Sequence, residues 1–68
     1  MEKNHVRKTL LTIREKEVIS YLNKGLLYKE IAIQMGVGID TVKKHSKSSY
    51  RKLNVRNRTE AINKVYRA

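Results

Sequence analysis

Residues 37–53 read VGIDTVKKHSKSSYRKL, and the fold turns on how this stretch is read. At the helical period, Val42, Ser46, Ser49 and Leu53 share one narrow stripe, the spacing of a packed face. Lys43, Lys44, Lys47 and Arg51 fall together on the opposite arc. From Thr41 to Thr59 there are seven Lys or Arg and no acid, with Asp40 and Glu60 bracketing the run. A helix over about 39–53 that buries one side and offers positive charge on the other has a polyanion as its natural partner. It is the candidate nucleic-acid-reading helix.

The rest of the composition supports that partner. Sixteen Lys+Arg against six Asp+Glu give a formal charge of +10 on 68 residues. This is a large excess for a chain with room for one small core. It points to DNA, RNA or an anionic membrane surface. No Cys is present, which removes disulfides and thiolate metal sites from consideration. No apolar run approaches the roughly 18–20 residues of a membrane span. Pro is absent and there are three Gly, so strands and tight hairpins have little support. The class expected is small, cytoplasmic and all-α.

Upstream of the quoted stretch, Tyr28–Met35 (YKEIAIQM) reads as a short helix with Ile31, Ala32 and Met35 inward. Gly36-Val37-Gly38 is the turn, with Gly36 ending the helix and Val37 entering the core. A short helix, a glycine turn and a longer helix form the helix-turn-helix layout. Before it, Thr12 and Glu15 make a capping box that opens a helix over about 13–24. Its apolar positions are Ile13, Val18, Tyr21 and Leu22, and Gly25 is its left-handed stop. Glu15 and Glu17 are read as first-turn acids that complement the helix dipole, not as a catalytic carboxylate pair. Residues 1–10 are polar and aperiodic, a flexible tail or linker end; His5 lies there without partners for a metal.

Within the quoted stretch, Gly38 takes the N-cap position without a side-chain acceptor, and Asp40 compensates through the dipole. Ser46 and Ser49 are unexpected in a core stripe. Either their hydroxyls bond back to the carbonyls of Val42 and His45, or this face is less buried than the pattern suggests. His45 and Tyr50 are read as edge and packing residues. With four Tyr and no Phe or Trp, a stacking platform for single strands is poorly supported. Downstream, Asn54 suits a left-handed helix end, and Asn57 with Glu60 makes another N-cap. A last helix over about 58–66 carries Ala61, Ile62, Val65 and Tyr66 along one side. These are more apolar residues than closing a small core needs, and they suggest a partner-helix contact.

Four blocks then fit one family. Leu11-Thr12-x-Arg14-Glu15-x-Glu17-Val18, Lys29-Glu30-Ile31-Ala32, Thr41-Val42-Lys43-x-His45 and Lys52-Leu53-x-Val55-x-Asn57-Arg58-Thr59-Glu60-Ala61 together resemble the LuxR-type (GerE-like) DNA-binding domain, in order and at its spacing. The resemblance covers about residue 11 to the C-terminus. It implies a small four-helix bundle whose third helix enters the DNA major groove and whose fourth supports dimerisation, through Ile62, Val65 and Tyr66. Lys43, Lys44 and Lys47 would face bases, and Thr41 and Lys29 phosphates. Arg51 joins them from the exposed arc. Arg58 is expected to pair with Glu15 or Glu17 and hold the fourth helix to the first. Leu27 and Gly38 stand where the family has Ser or Thr caps, and Ser46 and Ser49 where it has apolar residues. These departures predict a domain of lower stability that retains binding.

The expected function is sequence-specific binding of double-stranded DNA in bacterial transcription regulation, as a homodimer on DNA, with RNA polymerase a further candidate partner and no cofactor. Lysines that donate to guanine O6 and N7 suggest a preference for G at contacted positions. Members of the family usually carry a receiver or ligand-sensing domain ahead of this one, so the chain is expected to be the output domain of a response regulator or ligand-sensing regulator, with a standalone regulator of the small type as the alternative. The rival readings are a sigma-factor region 4-like promoter module and a protein-interaction module that uses the fourth helix. No nucleophile–base pair, metal cluster or phosphate loop supports an enzyme.

Overall fold

The computed structural model describes residues 10–67; the tail expected over residues 1–10, His5 included, lies outside the described residues apart from Leu10. Four helices follow in order: α1 (Ile13–Asn23), α2 (Tyr28–Met35), α3 (Ile39–Leu53) and α4 (Arg58–Tyr66). Helix α3 is the hub, packed against each of the other three, and α4 also rests on α1.

Local chemistry sets the helix starts. The Thr12 N–H donates to Glu15 Oε1 at 2.8 Å, and the Glu15 N–H donates back to Thr12 Oγ1 at 3.1 Å. At α4 the Glu60 N–H donates to Asn57 Oδ1 at 2.9 Å, while Glu60 Oε1 accepts from the Arg56 N–H at 2.8 Å. Leu27 has no side-chain acceptor, but its N–H donates to Glu30 Oε1 at 2.7 Å. Half of a capping box therefore forms although the cap residue has no side-chain acceptor.

The three internal helix ends share one device. Gly25, Gly36 and Asn54 each take the left-handed conformation. In each case the next N–H reaches five residues back: Leu26 to the Tyr21 carbonyl, Val37 to Ala32, Val55 to Tyr50. This is the Schellman closure, in which the residue after the left-handed one packs back on the helix. Leu26, Val37 and Val55 are all partly buried against the core. Each stop thus delivers the residue after it to the core, which is how a 68-residue chain fills an interior from its loops.

The core is Leu11, Val18, Ile19, Leu22, Ile31, Ala32, Val42, Leu53 and Ala61. Full burial of a large aliphatic side chain contributes about 1.5–3 kcal/mol. Ile19 belongs to this set, and Ile13 does not: Ile13 is 78% exposed. The sequence reading placed Ile13 on the inner face, but Ile13 lies about half a turn from Val18, so one stripe cannot hold both. Helix α1 ends at Asn23, with Lys24 as its cap.

Candidate nucleic-acid interface

Helix α3 is clamped on two flanks and free on the third. On one flank Lys52 Nζ donates to Glu15 Oε1 at 2.9 Å. On the other, Tyr28 Oη of α2 and Ser46 Oγ share a hydrogen bond of 2.8 Å. Behind it, Val42, Ser46, Ser49 and Leu53 are fully buried. Of the two explanations for the serines, burial with satisfied hydroxyls holds. Ser49 Oγ donates to the His45 carbonyl at 2.7 Å, as expected. Ser46 bonds across to Tyr28 and not back to Val42, because the α2 phenol already lies over that stretch of α3. Burial pushes the Tyr50 hydroxyl up from its ordinary pKa beside this seam.

The free flank carries the charge. Thr41, Lys43, Lys44, Lys47 and Arg51 are all exposed, and so is Lys29 on α2. The ion pairs among the described residues are Arg14–Glu17 and Lys52–Glu15, so none of these cations is neutralised by a carboxylate. Lys52, the lysine turned inward, is the one that has a partner. A row of unpaired cations on a rigid helix is a surface prepared for phosphates.

Glu15 is 4% exposed and is built into the frame behind this surface. Burial alone would raise its pKa. Hydrogen bonds from the Thr12 N–H and Lys52, the Lys52 charge and the influence of the Ser48 hydroxyl outweigh burial and hold it at about 2. The expected pairing of Arg58 with Glu15 or Glu17 does not form; Glu17 pairs with Arg14 and Glu15 with Lys52. Arg58 Nη2 donates to the Leu22 carbonyl at 3.2 Å. Lys52 already occupies Glu15, and at the C-terminal end of α1 the Leu22 carbonyl, which accepts from the Gly25 N–H at 3.0 Å, takes the Arg58 guanidinium as a second donor. The staple between α4 and α1 exists, made of different atoms.

On α4, Ala61 is buried, Ile62 and Val65 are half-buried against the core, and Tyr66 is 47% exposed. Val65 and Tyr66 border a cleft of about 170 Å³ with Leu11, Lys16 and Ile19. Among the described residues no group of His, Cys, Asp or Glu could hold a metal, and no helix is long and apolar enough to cross a membrane. The sequence reading overlooked Ile39 and Asp40 as part of the free surface, though both are exposed; the helical wheel places Asp40 among the lysines, whereas Ile39 falls about 20° from Ser46 on it, and its exposure is visible only in the structure.

A short helix, a left-handed glycine turn and a longer helix with one face buried and one face basic define a helix-turn-helix domain. The family model described as bacterial regulatory proteins, luxR family, matches residues 9–65, and the chain belongs to that family. It is 39% identical over 59 residues to the CsgBAC operon transcriptional regulatory protein of Escherichia coli K12, covering 87% of this chain and 27% of the relative. It is 43% identical over 59 residues to the transcriptional activator protein CarR of Pectobacterium carotovorum subsp. carotovorum, covering 87% and 24%. With the HTH-type transcriptional regulator MalT of Vibrio campbellii it shares 40% over 57 residues, covering 84% and 6%. The chain therefore spans about a quarter or less of the length of these curated relatives, all of them transcription regulators. No solved structure gave a significant match.

Proposed function

We propose that this domain binds double-stranded DNA with sequence preference and acts in transcription, with α3 in the major groove. The observation that carries the reading is the unpaired basic arc of α3, opposite a fully buried stripe. Lys43, Lys44 and Lys47 face the bases; Thr41, Arg51 and Lys29 face the backbone. Phosphate contacts supply most of the affinity and fix the register, while contacts in the groove discriminate. Two copies meet through Ile62, Val65 and Tyr66 of α4, so that two half-sites are read with a spacing set by the dimer. The length of the relatives supports an output module within a larger regulator, with RNA polymerase as a further partner.

Fluorescence anisotropy tests this with a labelled duplex from upstream of the protein's own operon, against a scrambled duplex, over a salt series. A preference for the first duplex that survives rising salt, with log K falling by several units per log unit of salt, supports specific recognition. Equal binding to both that vanishes at moderate salt contradicts it. That result would favour a protein partner on α4.

A further inference from the structure

Lysine is a compact charge on a flexible stem, well suited to phosphates and less suited to telling one base from another. The basic arc of α3 consists of lysines and one arginine, which can donate to guanine, so discrimination among the other bases calls for other side chains. In helix-turn-helix docking the N-terminal residues of the second helix are the ones that reach base edges. Here those residues are Ile39 and Asp40.

Both residues are unusual for their setting. Ile39 is an aliphatic side chain left 41% exposed at the head of a helix whose free side is otherwise polar and charged. Asp40 is an acid in a surface that otherwise attracts polyanions. At about 100° per residue it lies within about 20° of Lys47 and Arg51, and about 40° from Lys44. Lys43 and Lys44 sit at the spacings where helix ion pairs form, yet among the described residues Asp40 makes no ion pair. Its carboxylate is free to accept. A carboxylate facing phosphates is repelled, whereas one facing a groove edge accepts from the cytosine amino group; an apolar side chain beside it meets the thymine methyl. Gly38, just ahead, has open space on its Cβ side, so nothing hinders close approach of this end.

We propose that the first turn of α3 is the base-discriminating part of the interface, with Asp40 accepting from a cytosine N4 amino group and Ile39 contacting the methyl of a neighbouring thymine. This rests on the DNA-binding reading above and adds a specificity that the lysines do not carry. It adds to the preference for G expected of the lysines a mixed C and T signature at the positions under the helix head.

The test is selection of binding sites from a randomised duplex pool by the full chain and by Asp40→Asn, Asp40→Ala and Ile39→Ala, with a thermal melt of each. Asn both donates and accepts, and pairs with adenine. Asp40→Asn is therefore expected to move one position from cytosine to adenine. Asp40→Ala is expected to flatten that position, with discrimination falling about tenfold, while binding to scrambled duplex tightens as the repulsion is lost. Ile39→Ala is expected to flatten a thymine position and leave the salt slope unchanged. If the wild-type chain selects a motif and all three variants select the same one, this inference is overturned and the DNA-binding reading stands. If the wild-type chain enriches no motif, both are overturned.

Discussion

Lys52 Nζ lies 2.9 Å from Glu15 Oε1, joining the last turn of α3 to the first turn of α1 across 37 residues of chain. The same carboxylate oxygen closes the α1 capping box by accepting the Thr12 N–H. One buried acid thus fixes both the start of the first helix and the seat of the third. The surface that α3 offers to solvent is set from behind.

A pH dependence follows. Glu15 is held at about 2 from an ordinary 4.5, so the unfolded chain binds the proton more readily than the folded one. The stabilisation is fully present above about pH 4.5 and is lost as pH falls from there toward about 2. Denaturant unfolding monitored by circular dichroism should show stability falling by roughly 2–3 kcal/mol over that window. Glu15→Gln should lose a comparable amount at neutral pH and show a flatter acid limb. A wild-type acid limb identical to that of Glu15→Gln would refute the role given to this pair.

The Tyr28–Ser46 bond predicts a second energetic effect. In Tyr28→Phe the fully buried Ser46 hydroxyl loses its partner, at a cost of about 1–2 kcal/mol. Ser46→Ala added to that variant should recover part of the loss. A double-mutant cycle by urea titration reads the coupling; additive losses would show that the two hydroxyls do not act as a pair.

Much of this fold is legible in the sequence because its helices are delimited by short-range chemistry. Thr12 with Glu15, Gly25, Gly36, Asn54, and Asn57 with Glu60 act within five residues, so boundaries can be read locally. The stripe Val42, Ser46, Ser49 and Leu53 and the opposing lysines follow from one helical period. What the sequence hides is the partner of a side chain that crosses between helices. Glu15 has two plausible cations, Lys52 and Arg58, and only the tertiary arrangement chooses Lys52. Ser46 has a local acceptor at Val42, and only the position of α2 makes Tyr28 the better one. Ile13 and Ile19 are equally apolar, and which of them is buried depends on where α3 and α4 lie. The free arc itself was legible, and Asp40 falls on it by the same period, but a first-turn acid already has a local role at the helix dipole and Ile39 falls beside Ser46 on the wheel, so neither stands out as part of that surface.

Helix starts without side-chain caps offer room for stabilisation. Leu27 has an extended backbone and an exposed side chain, so Leu27→Ser should add about 1 kcal/mol. Gly38 has the same cap geometry, φ −77° and ψ 158°, and Gly38→Ser should add a few tenths. The pair is expected to raise the melting temperature by about 4–8 °C. No rise in a thermal melt would mean that these caps do not limit stability.

The cations of the interface should separate by salt dependence. Lys29→Ala should weaken binding to specific and scrambled duplexes alike and reduce the salt slope by about one unit. The same change at Lys64, on α4, should leave the slope unaltered. Anisotropy titrations at several salt concentrations decide between them.

The central claim is that the free arc of α3 is the surface that meets DNA, and amide chemical-shift mapping tests it most directly. Titrating the isotope-labelled domain with a duplex from its own upstream region should move Ile39, Asp40, Thr41, Lys43, Lys44, Lys47 and Arg51 first, with Lys29 beside them. Shifts confined to Ile62, Val65 and Tyr66, or spread evenly over every lysine and arginine, would contradict it.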